Sequence, residues 1–227
     1  MDYSVILLAG GKGIRMGKDI PKQYLLLGGK PVLMHSLERI DRITCIKEVI
    51  IVCEETYQNI ITTMCNDFNI EKKIIFANAG ISRQESVYNG LQVVTCAYVI
   101  LHEAARPFVT IDEFTKLINC PERNVTLGYA LSYSIAQGHD LFEKTVNRNE
   151  FINIQLPQKF NTETLLYAHK KALHEGKQYT EDAGMVFDLA GEPVKIMKGT
   201  SINIKISEPI DLLLGELIYR EYIVKRK

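Results

Sequence analysis

A glycine-rich segment that carries its own cations is the first feature of this sequence that could do chemistry. Residues 10–17 read GGKGIRMG, follow directly on an apolar run, and are followed closely by residues 21–24, PKQY. Glycine lets backbone N–H groups approach a phosphate, and Arg15 and Lys22, seven residues apart, can flank the same anion. This combination is typical of a loop that binds a phosphate group.

Two common glycine loops do not fit this segment. The P-loop pattern G-x-x-x-x-G-K-[ST] fails because Lys12 stands at its first glycine and Asp19 replaces the Ser or Thr that holds magnesium. The dinucleotide pattern G-x-G-x-x-G fails because Met16 stands at its third glycine. A dinucleotide-binding protein is therefore only an alternative, to be judged by its affinity for NAD.

Two further clusters place polar side chains at the ends of predicted elements. Residues 80–90, GISRQESVYNG, open a predicted helix, where Arg and Ser suit either a ligand site or an ordinary helix cap. Residues 102–107, HEAARP, follow a buried-looking strand. Ligands of open α/β sheets bind beyond the carboxyl ends of strands, so Glu103 is placed to bind a metal or an acceptor. The alternative is a surface ion pair between Glu103 and Arg106.

Length and composition limit the class of protein. The chain has 227 residues, of which 46% are hydrophobic and 24% charged, with 27 Lys and Arg against 27 Asp and Glu. These values are typical of one globular domain, residues 1–227. The net charge of zero argues against nucleic acid or an anionic membrane as a partner, because both require an excess of cations. Recognition of phosphate must therefore be local.

Cysteine and histidine usage indicates the compartment. The five cysteines contain no C-x-x-C pair, and the five histidines are not spaced like zinc ligands. We expect reduced, mostly buried thiols and no transition-metal site. The apolar run from Val5 to Ala9 ends at Gly10, too short for a signal peptide or a membrane span. A cytoplasmic location is expected.

The elements that position these residues alternate along the chain. Short runs rich in Val and Ile, apolar on both faces, alternate with stretches of helical period, which predicts strands joined by crossover helices. We predict an α/β fold: an open, mostly parallel, Rossmann-like sheet sandwiched by helices. Residues 132–155, where the pattern breaks, are predicted to form a protruding β-arm. The predicted strands are Tyr3–Ala9, Glu48–Cys53, Lys73–Ala77, Tyr98–His102, Val125–Leu131, Pro193–Met197 and Ser201–Ile206. The predicted helices are Pro31–Arg39, Thr56–Asn66, Arg83–Thr95, Ile111–Ile118, Thr162–Leu173, Glu181–Leu189 and Pro209 to about Tyr222.

Six segments, in this order, resemble the methylerythritol-phosphate cytidylyltransferase family and its ribitol-phosphate cytidylyltransferase relatives. The resemblance covers nearly the whole chain and implies the nucleotidyltransferase version of the predicted fold. The pattern Arg-x-x-Ser with a trailing Asn-Gly-Leu is closer to the methylerythritol branch. The segments are residues 8–17 (LAGGKGIRMG), 21–24 (PKQY), 83–91 (RQESVYNGL), 104–108 (AARPF), 156–158 (LPQ) and 203–206 (NIKI).

The resemblance implies a reaction in which an acceptor phosphate oxygen attacks the α-phosphorus of CTP and expels pyrophosphate, with Mg²⁺ as the cofactor. It implies catalytic roles for Arg15, Lys22 and Lys205. The implied nucleotide-binding residues are Leu8, Ala9, Gly10, Gly11, Gly13, Lys22, Gly80, Arg83, Ser86, Ala104 and Lys205. The implied acceptor-binding residues are Glu103, Arg106, Arg148 and Lys205, and Glu103 is also the implied metal ligand.

The resemblance also implies a symmetric homodimer, in which Arg148 on the arm completes the acceptor site of the partner. Departures from the family pattern lie in the acceptor half: Glu103 and Glu181 stand for Asp, Ile135-Ala136 for Asp-Thr, and Leu156 for Thr. The expected acceptor is methylerythritol phosphate, with ribitol phosphate or another polyol or sugar phosphate as the alternative. A non-catalytic paralogue that binds CTP without releasing pyrophosphate is a further alternative.

Overall fold

The computed structural model describes residues 1–11 and 20–224 of the chain. A seven-stranded sheet lies at its centre, in the order β11-β7-β10-β6-β1-β4-β5. β10 runs antiparallel to β6 and β7, and the other pairs in this sheet are parallel. The predicted open, mostly parallel α/β sheet is confirmed. The strands are β1 (Tyr3–Leu8), β2 (Leu26–Leu27), β3 (Lys30–Pro31), β4 (Ile46–Cys53), β5 (Lys73–Asn78), β6 (Tyr98–Glu103), β7 (Val125–Ala130), β8 (Ala136–Gly138), β9 (Phe142–Thr145), β10 (Ile152–Asn161) and β11 (Lys195–Lys198).

Helices cover both faces of this sheet, which explains why its strands are apolar on both sides. In β1, Val5 and Leu7 point into one core together with α1, α2 and α4. Ile6, between them, points into the opposite core together with α3, α5 and α6. All three side chains are fully buried. The helices are α1 (Val32–Asp41), α2 (Gln58–Asp67), α3 (Arg83–Leu91), α4 (Ile111–Asn119), α5 (Thr162–His174), α6 (Asp182–Met185) and α7 (Pro209–Ile218).

One predicted strand is absent, and one observed strand was not predicted. Residues 201–206, predicted as a strand, form a turn and an irregular loop. Side-chain hydrogen bonds from Asn203 and Arg106, described below, stabilise this loop in place of a strand ladder. β10, in contrast, was not predicted. It lies in the middle of the sheet, but its polar residues do not show the apolar pattern expected of a buried strand. The helix predicted to reach Thr95 ends at Leu91.

The predicted arm contains a two-stranded hairpin of β8 and β9, in which every residue is exposed. All five cysteines lie in the described part of the chain and are free thiols. Within the described residues, none of the helices combines the length and the apolar character needed to cross a bilayer.

Candidate active site

A cleft of about 820 Å³ opens beyond the carboxyl ends of the strands. The chain runs from β1 to β4 and β5 on one side, and β6 lies on the other side of β1. The strand order therefore reverses between β1 and β6, where open α/β sheets bind their ligands. Leu8 and Glu103, the last residues of these two strands, are register partners and both line the cleft.

The cleft brings together most of the residues predicted for the nucleotide. Ala9 and Ala104, also predicted for the nucleotide, are not among the lining residues. The Ala9 N–H donates to the Val52 carbonyl at 2.8 Å, and the Ala104 N–H donates to the Leu8 carbonyl at 3.0 Å. Gly13 and Arg15 lie outside the described residues, so their predicted roles stay predictions. The predicted residues that line the cleft are Leu8, Gly10, Gly11, Lys22, Gly80, Arg83, Ser86, Glu103 and Lys205.

Close backbone packing explains the glycine at position 10. A Cβ atom on Gly10 would lie 2.4 Å from the Cβ of Ala79, which is too close for two carbon atoms. The buried Gln23 side chain supports the same loop, because its Nε2 donates to the Ala9 carbonyl and to the Gly11 carbonyl at 3.1 Å. Gln23 follows Lys22, which is itself only 8% exposed. The motif at residues 21–24 therefore contributes both a cation and a support for the loop.

The start of α3 forms the opposite wall. Ser82 caps the helix by accepting from the Glu85 N–H at 3.0 Å. Ser86 Oγ accepts from the Gly80 N–H at 3.0 Å and donates to the Ser82 carbonyl at 2.9 Å. The hydroxyl of Ser86 thus fixes the turn at Gly80, and its proton is used within the protein. The helix-cap interpretation and the ligand-site interpretation of this segment are therefore compatible.

Glu103 is the centre of a cluster of charges. Its Oε1 accepts from Lys205 Nζ at 2.8 Å and lies 3.5 Å from Arg83 Nε, while Oε2 accepts from Arg106 Nε at 3.2 Å. Burial raises the pKa of this carboxyl, but the charges of Lys205, Arg106 and Arg83 outweigh burial and lower the pKa to about 2. The pair of Glu103 with Arg106 exists, but it is buried rather than on the surface.

The loop that carries Lys205 is tied to the body of the protein at several points. Asn203, fully buried, donates from Nδ2 to the Leu156 carbonyl at 2.8 Å and accepts at its own carbonyl from Arg106 Nη1 at 3.0 Å. The Ile206 N–H donates to the Ala105 carbonyl at 2.8 Å. Lys205 lies between these anchors, and its side chain remains 37% exposed in the cleft.

Residues 3–221 match the family of 2-C-methyl-D-erythritol 4-phosphate cytidylyltransferases, IspD. The chain belongs to this family. It is 34% identical over 221 residues to the enzyme of that name from Bacteroides thetaiotaomicron, covering 96% of this chain and all of the relative. It is 35% identical to the one from Clostridium botulinum, covering 95% and 96%. The resemblance seen in the motifs is confirmed.

Solved IspD structures share the fold. The 4-diphosphocytidyl-2C-methyl-D-erythritol synthase of Anaerococcus prevotii superposes with a TM-score of 0.85 at 25% identity, over 97% of this chain and 96% of that one. The 2-C-methyl-D-erythritol 4-phosphate cytidylyltransferase of Thermus thermophilus superposes with a TM-score of 0.80, also at 25% identity, over 97% and 100%. The nucleotidyltransferase version of the predicted fold therefore extends over nearly the whole chain.

The cleft of this IspD chain offers limited protein ligands for a metal. The described residues contain no group of three or more His, Cys, Asp or Glu placed to hold an ion. Mg²⁺ that is bound beside nucleotide phosphates commonly uses one or two carboxylates and takes its other ligands from phosphate and water. Glu103 supplies one hard carboxylate at the cleft. The donor set therefore fits a magnesium ion held mainly by the substrate.

Arg148 lies on the arm, away from the residues that line the cleft of its own chain. Its Nη1 donates to the Ser132 carbonyl at 2.9 Å, and the residue is exposed. Arg148 is not among the residues that line the cleft of its own chain, so its role in an acceptor site stays a prediction. Arg106, the other predicted acceptor ligand, binds Glu103 and the loop around Asn203 instead of lining the cleft.

Asp182 is fully buried, and the motifs of the sequence do not assign it to the site. Its Oδ2 accepts from Arg83 Nη1 at 2.6 Å, and its Oδ1 lies 2.9 Å from His169 Nε2. Burial raises the pKa of Asp182, but Arg83 and His169 outweigh it and lower the pKa to about 2. The signal in the sequence that could have indicated Asp182 is His169, which lies in the apolar stripe of the predicted helix at 162–173. A histidine in such a stripe indicates a buried polar partner.

Proposed function

We propose that this protein transfers the cytidylyl group of CTP to 2-C-methyl-D-erythritol 4-phosphate and releases pyrophosphate, a step of isoprenoid precursor synthesis. The observation that carries the proposal is the convergence of Lys22, Arg83, Glu103 and Lys205 on one cleft at the reversal of strand order. The relatives that carry the name of this activity match the chain over almost its full length.

In this reaction a phosphate oxygen of the acceptor attacks the α-phosphorus of CTP. The bond between the α-phosphorus and the oxygen that bridges it to the β-phosphate breaks, and pyrophosphate leaves with that electron pair. Such a transfer needs little covalent help from the protein and depends on position and on compensation of negative charge. The ammonium groups of Lys22 and Lys205 supply that compensation in the cleft. Arg15, which lies outside the described residues, is proposed as a third cation.

Glu103 would hold Mg²⁺ together with phosphate oxygens of the nucleotide. The ion would neutralise charge on the triphosphate and on the departing pyrophosphate. Lys205 and Arg106 keep Glu103 ionised and fixed at the end of β6. The carboxylate is therefore oriented before a ligand arrives, which lowers the cost of reorganisation during the reaction.

We further propose that the chain acts as a homodimer, with Arg148 of each copy completing the acceptor site of the other. A two-stranded hairpin alone is only marginally stable in water, and the arm exposes the apolar side chains of Tyr133, Leu141 and Phe142 at 80%, 80% and 71%. A second copy of the chain would cover these side chains. The free thiols support a cytoplasmic location.

The test is magnesium-dependent release of pyrophosphate, with CTP or UTP as the nucleotide and a panel of acceptors. Release with CTP and methylerythritol phosphate, and none with ribitol phosphate or glycerol phosphate, is the expected result. Release with ribitol phosphate instead would reassign the acceptor. Thermal stabilisation by CTP without release from any acceptor would indicate a non-catalytic paralogue. Stabilisation by NAD and none by CTP would overturn the proposal.

A further inference from the structure

A series of buried polar groups runs from α5 to the cleft. The proposed mechanism does not use the two groups that lie farthest from the cleft, His169 and Asp182. His169, 2% exposed, lies in α5, and Asp182, 0% exposed, is the first residue of α6. His169 Nε2 is 2.9 Å from Asp182 Oδ1, and Arg83 Nη1 donates to Asp182 Oδ2 at 2.6 Å. Arg83 in turn lies 3.5 Å from Glu103. Side chains from α5, α6, α3 and the end of β6 are therefore linked in one series of contacts.

Two carboxylates define the plane of that guanidinium. Asp182 forms an ion pair with Nη1, and Glu103 lies near Nε. Within the described residues, the buried Nη2 atom of Arg83 has no hydrogen-bond partner. A guanidinium has its donors in a rigid plane, so fixing two of the nitrogens also fixes the third. The orientation of Arg83 in the wall of the cleft is thus set from behind by Asp182.

Ionised groups are rarely buried unless they are paired, since removing them from water costs several kcal/mol each. Asp182 is completely buried. Pairing of Arg83 does not by itself require Asp182, because Glu103 alone could pair with it. Without the charge of Asp182, Glu103 would be the ion-pair partner left to Arg83 among the described residues, and Arg83 would compete with Lys205 for Oε1. The guanidinium would then move relative to the cleft, and Lys205 would lose part of its hydrogen bond.

We propose that Asp182, oriented by His169, is a positioning residue that sets Arg83 for binding of the nucleotide. The inference rests on the proposed function, because it assumes that the cleft takes CTP. His169 contributes a hydrogen-bond donor at Nε2, which holds the carboxylate in the rotamer that meets Arg83. His169 Nδ1 is buried and has no partner among the described residues, so the contribution of the ring beyond packing comes through Nε2.

Four variants test the proposal. Asp182→Asn keeps the shape of the side chain and removes its charge. His169→Gln places an amide N–H near the position of Nε2, whereas His169→Leu keeps only apolar volume. Asp67→Asn, at an exposed position in α2, is the matched control. For each variant, the Kd of CTP is measured by calorimetry without acceptor, together with kcat, both KM values and the midpoint of thermal unfolding.

The expected result is a rise in the Kd and the KM of CTP by about tenfold in Asp182→Asn, as for loss of a charge-assisted hydrogen bond, and a smaller rise in the KM of the acceptor, because Lys205 is disturbed only through Arg83. His169→Gln should keep the Kd of CTP within about twofold of wild type, and His169→Leu should weaken it by about fivefold. A folded Asp182→Asn that binds CTP as wild type does would overturn the proposal. Equal effects of His169→Gln and His169→Leu on the Kd of CTP would overturn the role of His169. This comparison does not depend on whether Asp182→Asn folds. A wild type that binds no CTP would refute the proposed function instead.

Discussion

Replacing Glu103 by glutamine changes a single charge at the point where three cations meet. Glutamine keeps the length and shape of the side chain, so the packing at the end of β6 is preserved. The amide, however, faces Lys205, Arg106 and Arg83 without the negative charge that now attracts them. We therefore expect Glu103→Gln to lower the free energy of unfolding, and to do so in a way that depends on pH.

The magnitude follows from the pKa of Glu103, which is about 2 instead of 4.5. A change of one pKa unit corresponds to about 1.4 kcal/mol, so the folded environment favours the ionised carboxylate by about 3 kcal/mol. A carboxyl whose pKa is lowered by folding stabilises the folded state above its unfolded pKa, and loses this contribution as the pH falls toward the folded pKa. Linkage then gives a loss of about 2 kcal/mol between pH 7 and pH 3.

The assay is urea unfolding of wild type and Glu103→Gln at several pH values between 7 and 3. The difference in free energy of unfolding should be about 3 kcal/mol at pH 7 and should shrink to about 1 kcal/mol at pH 3. Carboxylates remote from Glu103 titrate alike in both proteins and cancel in this difference. Glu55→Gln, at an exposed position, is the control. A difference that is below 1 kcal/mol at pH 7, or that is independent of pH, would refute the calculation.

Three further substitutions test individual roles. Lys22→Ala should reduce kcat by about 100-fold or more, because a cation that compensates charge in the transition state is lost. The circular dichroism spectrum should remain that of wild type, and unchanged kinetics would remove Lys22 from the mechanism. Arg148→Ala should raise the KM of the acceptor by about tenfold and leave the KM of CTP unchanged, and equal changes in both would contradict a role across the dimer. Asn203→Ala should lower the free energy of unfolding in urea by about 1–3 kcal/mol, since it leaves the buried Leu156 carbonyl without its donor. It should also lower kcat, because the loop would no longer hold Lys205 in place. A normal kcat in the folded variant would show that the loop does not position Lys205.

The parts of the site that the sequence predicts are those encoded by neighbouring residues. The glycine loop, the start of α3 and the position of Glu103 all depend on a local rule, that strand ends and helix starts face a ligand. Asp182 depends instead on Arg83, 99 residues away in the chain. No spacing within one segment indicates such a pair, so it became visible only in the folded structure.

The same distinction explains the two strand errors. Gln155, Gln158 and Lys159 are 5%, 0% and 2% exposed within β10, although polar residues of this kind are typical of surface segments. Gln158 donates to Thr126 and to Glu181, both at 2.9 Å, so its burial is compensated by distant partners. Residues 201–206, conversely, alternate like a strand, but the body of the protein binds their polar groups through side chains.

The place of β10 in the sheet has a consequence for biosynthesis. β1, β4, β5 and β6 are complete once residue 103 has left the ribosome, whereas β10 begins at Ile152. During the intervening elongation of about 50 residues, β6 is an open edge that can pair with the wrong strand. Lys205, another cation of the cleft, is added about 100 residues after the end of β6. Ligand can therefore stabilise the folded protein, in which Leu8, Glu103 and Lys205 line one cleft, but not the nascent half-sheet that still lacks Lys205.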